Sequence, residues 1–457
     1  MKKKLSFNQT LLVGSLLFGL YFGAGNLIFP IELGQNSGFN LYKVVLGFII
    51  SGVGLPILGV VASAISKNDS LFEMGKTVGN KFAFLFTTAL YLTIGPFFAI
   101  PRTSTVAFEV GIASNISEEK IKLFLFIFSI IFFLIVLAFA LKPGKIMDNI
   151  GKILTPTFLI LLSVLVIFAI IKPMGALGQN EPIKIYQKNP MFVGILDGYN
   201  TMDALASLAF AIIIISSIRN LGVKDPNQIA KETFKSGIIC LIAMGTVYVS
   251  LAFMSSSSVN IMDLGNNGGR ILSNISFYYL GNFGKILLAG IVIIACLKTA
   301  IGLIIACSQI FMEMYPNSLS YKAYAITFTF ISFLIANLGL QKIISLSIPV
   351  LMYLYPLAIV LIFLSLLYPV IGKNKRIFYL TILFTAIFSI FDFLKALPEN
   401  ISKTESISKI VGFAKDYLPA FKLGFGWFLP ALIGFILALL ICFIKKEKIK
   451  QINVWKL

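Results

Sequence analysis

Long apolar runs recur along this chain, from LLVGSLLFGL at 11–20 to FLPALIGFILALLICFI at 428–444. A helix of roughly twenty apolar residues crosses the hydrocarbon of a bilayer. Inside lipid no water satisfies the backbone, so such runs must fold as helices or as strands of a closed barrel. Barrel strands alternate apolar and polar residues over about ten positions, and these runs do not alternate. Composition agrees. Of 457 residues 58% are hydrophobic and 12% charged, with a mean hydropathy of +0.93. That is too little charge to coat a soluble protein. The expected fold class is all-α, a polytopic membrane protein.

Spans are predicted near 9–36, 40–66, 81–112, 121–141, 150–171, 191–218, 233–257, 284–312, 321–337, 343–370, 377–394 and 424–444. No soluble domain interrupts them, so residues 1–457 read as one transmembrane domain. An even number of spans puts both termini on one side. The larger share of the 38 lysines and arginines falls on the cytoplasmic side when both termini are cytoplasmic. The lysines of 395–422 are the main exception. The expected location is the plasma membrane. Lys2–Lys4 followed by LLVGSLLFGL imitates a secretory signal, but these are equally the features of a first span.

The formal charge of +19 sits in short lysine clusters between apolar runs, as membrane topology requires, so no nucleic-acid partner is expected. Membrane lipid is. Cys240, Cys296, Cys307 and Cys442 all lie in predicted spans and indicate no disulfide framework. The chain has no histidine, which excludes a histidine proton relay and a histidine-ligated metal.

Two spans are spoiled in their middles. The first reads YFGAGNLIFP at 21–30, with glycines, a polar Asn26 and Pro30 where hydrocarbon is expected. Residues 22–25 hold a helix poorly, Asn26 can cap a new one, and Pro30 is tolerated in its first turn. A half-helix that starts at mid-membrane offers free N–H groups and a positive dipole end to a carboxylate. The glycines alone also fit helix packing, since Gly19 and Gly23 form a GxxxG pair. Packing does not explain Asn26 or Pro30.

The second is GYNTMD at 198–203. Gly198 is expected to break the helix. Asn200 and Asp203 have N-cap and N3 spacing, so Asp203 has a capping role open to it. It has a second role open, facing the cavity to attract an ammonium, with Tyr199, Thr201 and nearby carbonyls sharing that task. The breaks lie five spans apart, an odd number. They therefore belong to units of opposite orientation, repeat 1 at about 9–171 and repeat 2 at about 191–370, with peripheral helices at about 377–444. Paired broken helices in inverted repeats point to a transporter site at the midplane. The candidate substrate-binding residues are Phe22, Gly23, Ala24, Gly25, Asn26, Tyr199, Asn200, Thr201 and Asp203.

Long motifs add a resemblance. FGAGNLIFP, GPFFAIPRTSTVAFEVG at 95–111, GYNTMDALASLAFA at 198–211, ACLKTAIGL at 295–303, NLGL at 337–340 and SIPVLMYLYP at 347–356 resemble the bacterial branched-chain amino acid transport system carriers. That family is similar in turn to the LeuT-type superfamily, with a 5+5 inverted repeat. The resemblance covers nearly the whole chain. It implies uptake of leucine, isoleucine and valine driven by a Na+ or H+ gradient, with no other cofactor. It also implies a cation site. Gly19 and Phe22 would give carbonyls from span 1, Ala295 a carbonyl from span 8, and Lys298 and Thr299 stand at two hydroxyl positions. Lysine in place of a hydroxyl suggests that its ammonium substitutes for sodium there. The bland alternative is that Lys298 points away and pairs with an acid such as Asp203.

Arg102 and Glu109 lie two turns apart in span 3. They are read either as a structural pair or as part of an outer gate, since an intramembrane charge faces protein or water. Glu32 follows the first break and takes a favourable N-terminal helix position. Asp392, near a span end, is read as interfacial. GKT at 75–77 lacks the Walker glycine, as Ser70 stands at that position, so no ATPase engine is visible. A channel would need rings of like residues or a filter repeat, and an enzyme a nucleophile–base pair or metal cluster. Neither stands out. A sodium-independent carrier or exchanger of other apolar amino acids is the nearer alternative.

Overall fold

The computed structural model describes residues 3–445 except 69, 114, 115, 146 and 266. Helices dominate the described residues. Span 1 is two helices, α1 (Phe7–Tyr21) and α2 (Ala24–Asn36), bent by 70° from one another. The chain continues through α3 (Gly38–Ile65), α4 (Asn80–Gly111), α5 (Ile121–Ala140) and α6 (Ile150–Ile171). A short helix, α7 (Pro190–Tyr199), precedes α8 (Asp203–Asn220). Then follow α9 (Pro226–Ser257), α10 (Gly268–Met314), α11 (Tyr321–Ala336), α12 (Leu340–Leu366), α13 (Lys375–Lys395), α14 (Glu405–Tyr417) and α15 (Phe428–Ile444). Among the described residues nine helices are long and apolar enough to cross a membrane, and the bent α1–α2 pair makes a tenth span. The apolar helices α11 and α15 are shorter.

Helix faces sort by what they touch. Leu16, Leu17 and Leu20 of α1 are fully or almost fully buried, whereas Ile127, Ile131 and Leu134 of α5 are exposed. An apolar surface of that kind suits lipid. The broken helices sit inside. α1 packs on α9, α2 on α9 and α10, and α8 on α3. α4 lies along α10, while α13 and α15 pack together at the edge against α12. Small residues allow these close approaches, as at Gly34 against the Ala252 backbone.

Three features depart from the sequence reading. The segment 257–283 between predicted spans is not all loop: α10 begins at Gly268 and turns at Gly281, whose φ of +57° suits glycine, before the span proper. The segment 395–422 between predicted spans holds α14. Asp392, at the end of its span, is buried in the last turn of α13 rather than solvent-facing. Span 3 is kinked, with Gly95 non-helical (φ −93°, ψ −126°) beside Pro96.

Candidate functional site

Phe22 (φ −71°, ψ 90°) and Gly23 (φ −115°, ψ −155°) carry the chain out of α1 in an extended conformation. The Gly23 N–H donates to Asn26 Oδ1 at 3.0 Å. Asn26 is therefore not the N-cap, as the sequence suggested; it is the third residue of α2 and reaches back to the cap. Pro30 lies beyond the first turn of α2. Lacking an N–H, it leaves the Asn26 carbonyl without its usual helical partner.

The second break falls one turn later than predicted. Gly198 stays helical within α7. It is flat because it lies against α3, where a methyl group on it would stand 2.9 Å from the Gly52 nitrogen. The turn is made at 200–202, with Met202 left-handed at φ +64°. Thr201 Oγ1 donates to the Gly198 carbonyl at 2.9 Å and accepts from the Asp203 N–H at 3.4 Å. Asp203 is the first residue of α8, so the capping box with Asn200 does not form. Its carboxylate turns to the first break instead. Asn26 Nδ2 donates to Asp203 Oδ2 and also reaches the Tyr248 hydroxyl, which donates to the same Asp203 oxygen at 3.2 Å. A buried carboxylate needs such donors, and here they join the two broken helices through α9.

A cavity opens where the breaks meet. Gly23, Gly25, Asn26, Thr201 and Asp203 line it, as does Thr299 from the proposed cation set. Leu20, Ile94, Ala206, Phe210 and Leu303 give it an apolar wall. Its free volume for a water-sized occupant is about 20 Å³, room for about one water. A larger occupant enters only as wall side chains move.

Other predicted residues stand elsewhere. Phe22 is buried in an aromatic cluster, 5.0 Å from the Phe18 and Phe158 ring centres and 5.8 Å from that of Tyr248. Tyr199 stacks on Tyr355 at 4.2 Å, and its carbonyl accepts from the Met202 N–H. Asn200 lines a second pocket of about 220 Å³ with Glu32, Phe29 and Arg102. Ala24 opens α2. Sequence reasoning gave no role to Tyr248, a lone tyrosine at ordinary helical spacing whose partners are distant in the chain.

The cation set implied by resemblance separates. The face of Gly19 is filled by Thr155 and Ile150. Ala295 is fully buried in α10. Thr299 Oγ1 donates to the Leu20 carbonyl at 3.2 Å, not to Gly19 or Phe22. Lys298 is fully buried, and its Nζ lies 4.1 Å from the Phe158 ring centre and 5.5 Å from that of Phe18, without a hydrogen bond. It rests on neither the span 1 carbonyls nor Asp203.

Arg102 and Glu109 also separate. Glu109 faces Asn267 and Arg270 at the start of α10, whereas Arg102 feels Asp203 and Tyr355. Arg102 and Gly25 line both the central cavity and the second pocket. Asn267 and Gln341 link the latter to a wider pocket of about 470 Å³. No group of three or more His, Cys, Asp or Glu fit to hold a metal occurs among the described residues.

Known proteins share this chain's sequence and shape. A family profile described as branched-chain amino acid transport protein matches residues 6–445. The branched-chain amino acid permease BrnQ of Lactobacillus delbrueckii subsp. lactis is 44% identical over 98% of this chain and 100% of its own. The branched-chain amino acid permease BraB of Bacillus subtilis (strain 168) is 40% identical over 96% of this chain and 98% of its own. Among solved structures, MhsT in complex with L-phenylalanine is 16% identical, covers 96% of this chain and 100% of that one, and superposes with a TM-score of 0.58. That likeness places the chain in the LeuT-type fold.

Proposed function

The chain belongs to the branched-chain amino acid transport protein family, and from that premise we propose that it is a secondary active transporter importing leucine, isoleucine and valine by alternating access. One observation carries the reading to the residues. Two broken helices meet at a small cavity with polar ends and an apolar wall, joined through Asn26 and Asp203. An amino acid with a branched apolar side chain has the matching character. In this reading the first turn of α2 receives the carboxylate, as helix N-termini do. Asp203 and the Thr201 region receive the ammonium. The apolar wall takes the side chain, where each methylene is worth only about 1–3 kcal/mol, so the three substrates share one pocket.

Radiolabelled leucine counterflow in proteoliposomes tests the activity. Saturable, stereospecific exchange is the expected result. A linear ion flux without exchange would mean a channel.

For coupling, the reading favours transport without sodium at the Ala295–Thr299 position, with the Lys298 ammonium as the resident charge and a proton as the coupling ion. Buried intramembrane lysines are usually functional. Leucine uptake is expected to be insensitive to a sodium gradient in the wild type. Strong sodium stimulation, unchanged in Lys298→Thr, would rule that role out.

The proposed orientation in the plasma membrane has both termini cytoplasmic, with positions 145 and 224 inside and 184 and 415 outside. Cysteine labelling with an impermeant reagent checks it; labelling of position 145 from outside intact cells would reverse the assignment.

A further inference from the structure

Arg102 is 5% exposed, yet among the described residues its guanidinium makes no hydrogen bond and no ion pair. A buried arginine normally spends its five donors on carboxylates or carbonyls. Here they are aimed at the first break. A methyl group placed on Gly25 would stand 3.2 Å from Arg102 Nη2, so the guanidinium lies over the bare face of that glycine, in the first turn of α2. Phe29, one turn on, lies beneath it, with its ring centre 5.7 Å from Arg102 Cζ. Asp203 is within electrostatic reach of Arg102 but is held by Asn26 and Tyr248. The two charges therefore face the same cavity without pairing.

This arrangement is unfavourable when left to itself. A helix N-terminus carries about half a positive charge, and the guanidinium adds a full one beside it. The missing partner is an anion. We propose that the Arg102 guanidinium and the first turn of α2 together form a carboxylate subsite, with Asp203 as the opposed ammonium end. The inference rests on the amino acid transport proposed above and adds a direct substrate contact. Gly25 then has a positive role: any side chain there would occupy the space between guanidinium and helix. The planar fork of arginine suits a carboxylate with two parallel bonds, which a lysine cannot reproduce. A residue acting only as a gate would govern access and not discriminate between ligand head groups at equilibrium.

Equilibrium displacement of tritiated leucine from the purified protein tests the subsite. The competitors are leucine, leucinamide and 3-methylbutylamine, which keep the side chain and amine but change or remove the carboxylate. The wild type should prefer leucine over both amines by about 100-fold or more. In Arg102→Gln that preference should fall by about 30-fold or more, and in Arg102→Lys by about tenfold. Both variants are checked for a monodisperse size-exclusion profile. Should only the lysine variant fold, its tenfold drop is the supporting result. An unchanged preference in any folded variant overturns the subsite, even though leucine still binds. A wild type that binds no leucine sinks the transport reading itself.

Discussion

At the first break the chain turns through 70° on Phe22 and Gly23, and a bare Gly25 faces the cavity. At the second, Met202 makes a left-handed turn and Gly198 is pressed against α3. Glycine therefore does opposite work at the two ends of one site. Around Gly25 the nearest atoms to an added methyl are side chains, Phe29 at 3.0 Å and Arg102 at 3.2 Å. Around Gly198 they are the Ser51 hydroxyl and then the backbone of Gly52 and Phe48. A side chain can yield and a packed backbone cannot. The glycine of the first break keeps space for a ligand, and that of the second keeps two helices together. The polar residues complement this difference. The first break supplies donors, the second a carboxylate, and Asn26 holds them in register.

Substitutions can break or sharpen this contrast. The largest effect is expected at the acidic end. Asp203→Asn keeps the shape and an acceptor for Asn26 and Tyr248 but removes the charge. Leucine affinity in equilibrium binding should fall by about 100-fold, the loss typical of truncating one side of a buried charge pair. Wild-type affinity in this variant would free the second break from any ammonium role. Next comes Gly198→Ala, which should act on stability. Forcing a methyl into packed backbone costs about 1–3 kcal/mol, seen as a lower thermal midpoint of the purified protein. An unchanged midpoint would mean that α3 and α7 separate freely. The smallest effect is expected for Tyr248→Phe. It removes one of two donors to Asp203 while keeping the ring against Phe22 and Phe48. A loss of about 0.5–1.5 kcal/mol in binding is expected, and a loss as large as that of Asp203→Asn would make Tyr248 a direct substrate ligand.

The first break was readable because its signals are local. Gly23, Asn26 and Pro30 are poor helix-interior residues in an apolar run, and no tertiary information is needed to see that. The second was readable only in outline. The sequence points to Gly198 as the breaker, but a glycine inside a helix serves packing as well as breaking, and only the neighbouring α3 decides between them. The spacing of Asn200 to Asp203 fits a capping box, whereas Met202, a residue with no left-handed preference, carries the turn. Tyr199 and Phe22 sit in sequence beside cavity residues but point the other way, into stacked rings: Tyr199 ends α7 on a face turned to Tyr355, and Phe22 is carried out of α1 by an extended backbone into the Phe18 and Phe158 cluster. Tyr248 is 45 residues from Asp203 and 222 from Asn26, so no local pattern announces it. Lys298 stands out through the resemblance, as a lysine at a hydroxyl position. Its resting place on Phe158 follows from the packing of α6, which the apolar run at 150–171 does not encode in any visible period.

Leucine binding to Gly25→Val tests most directly whether substrate sits between the two breaks. The valine fills the space between the first turn of α2 and Arg102 and meets side chains rather than backbone. Thermal stability and size-exclusion profile should stay close to wild type while equilibrium binding of tritiated leucine disappears. A well-folded Gly25→Val protein that binds leucine with wild-type affinity would place the substrate elsewhere.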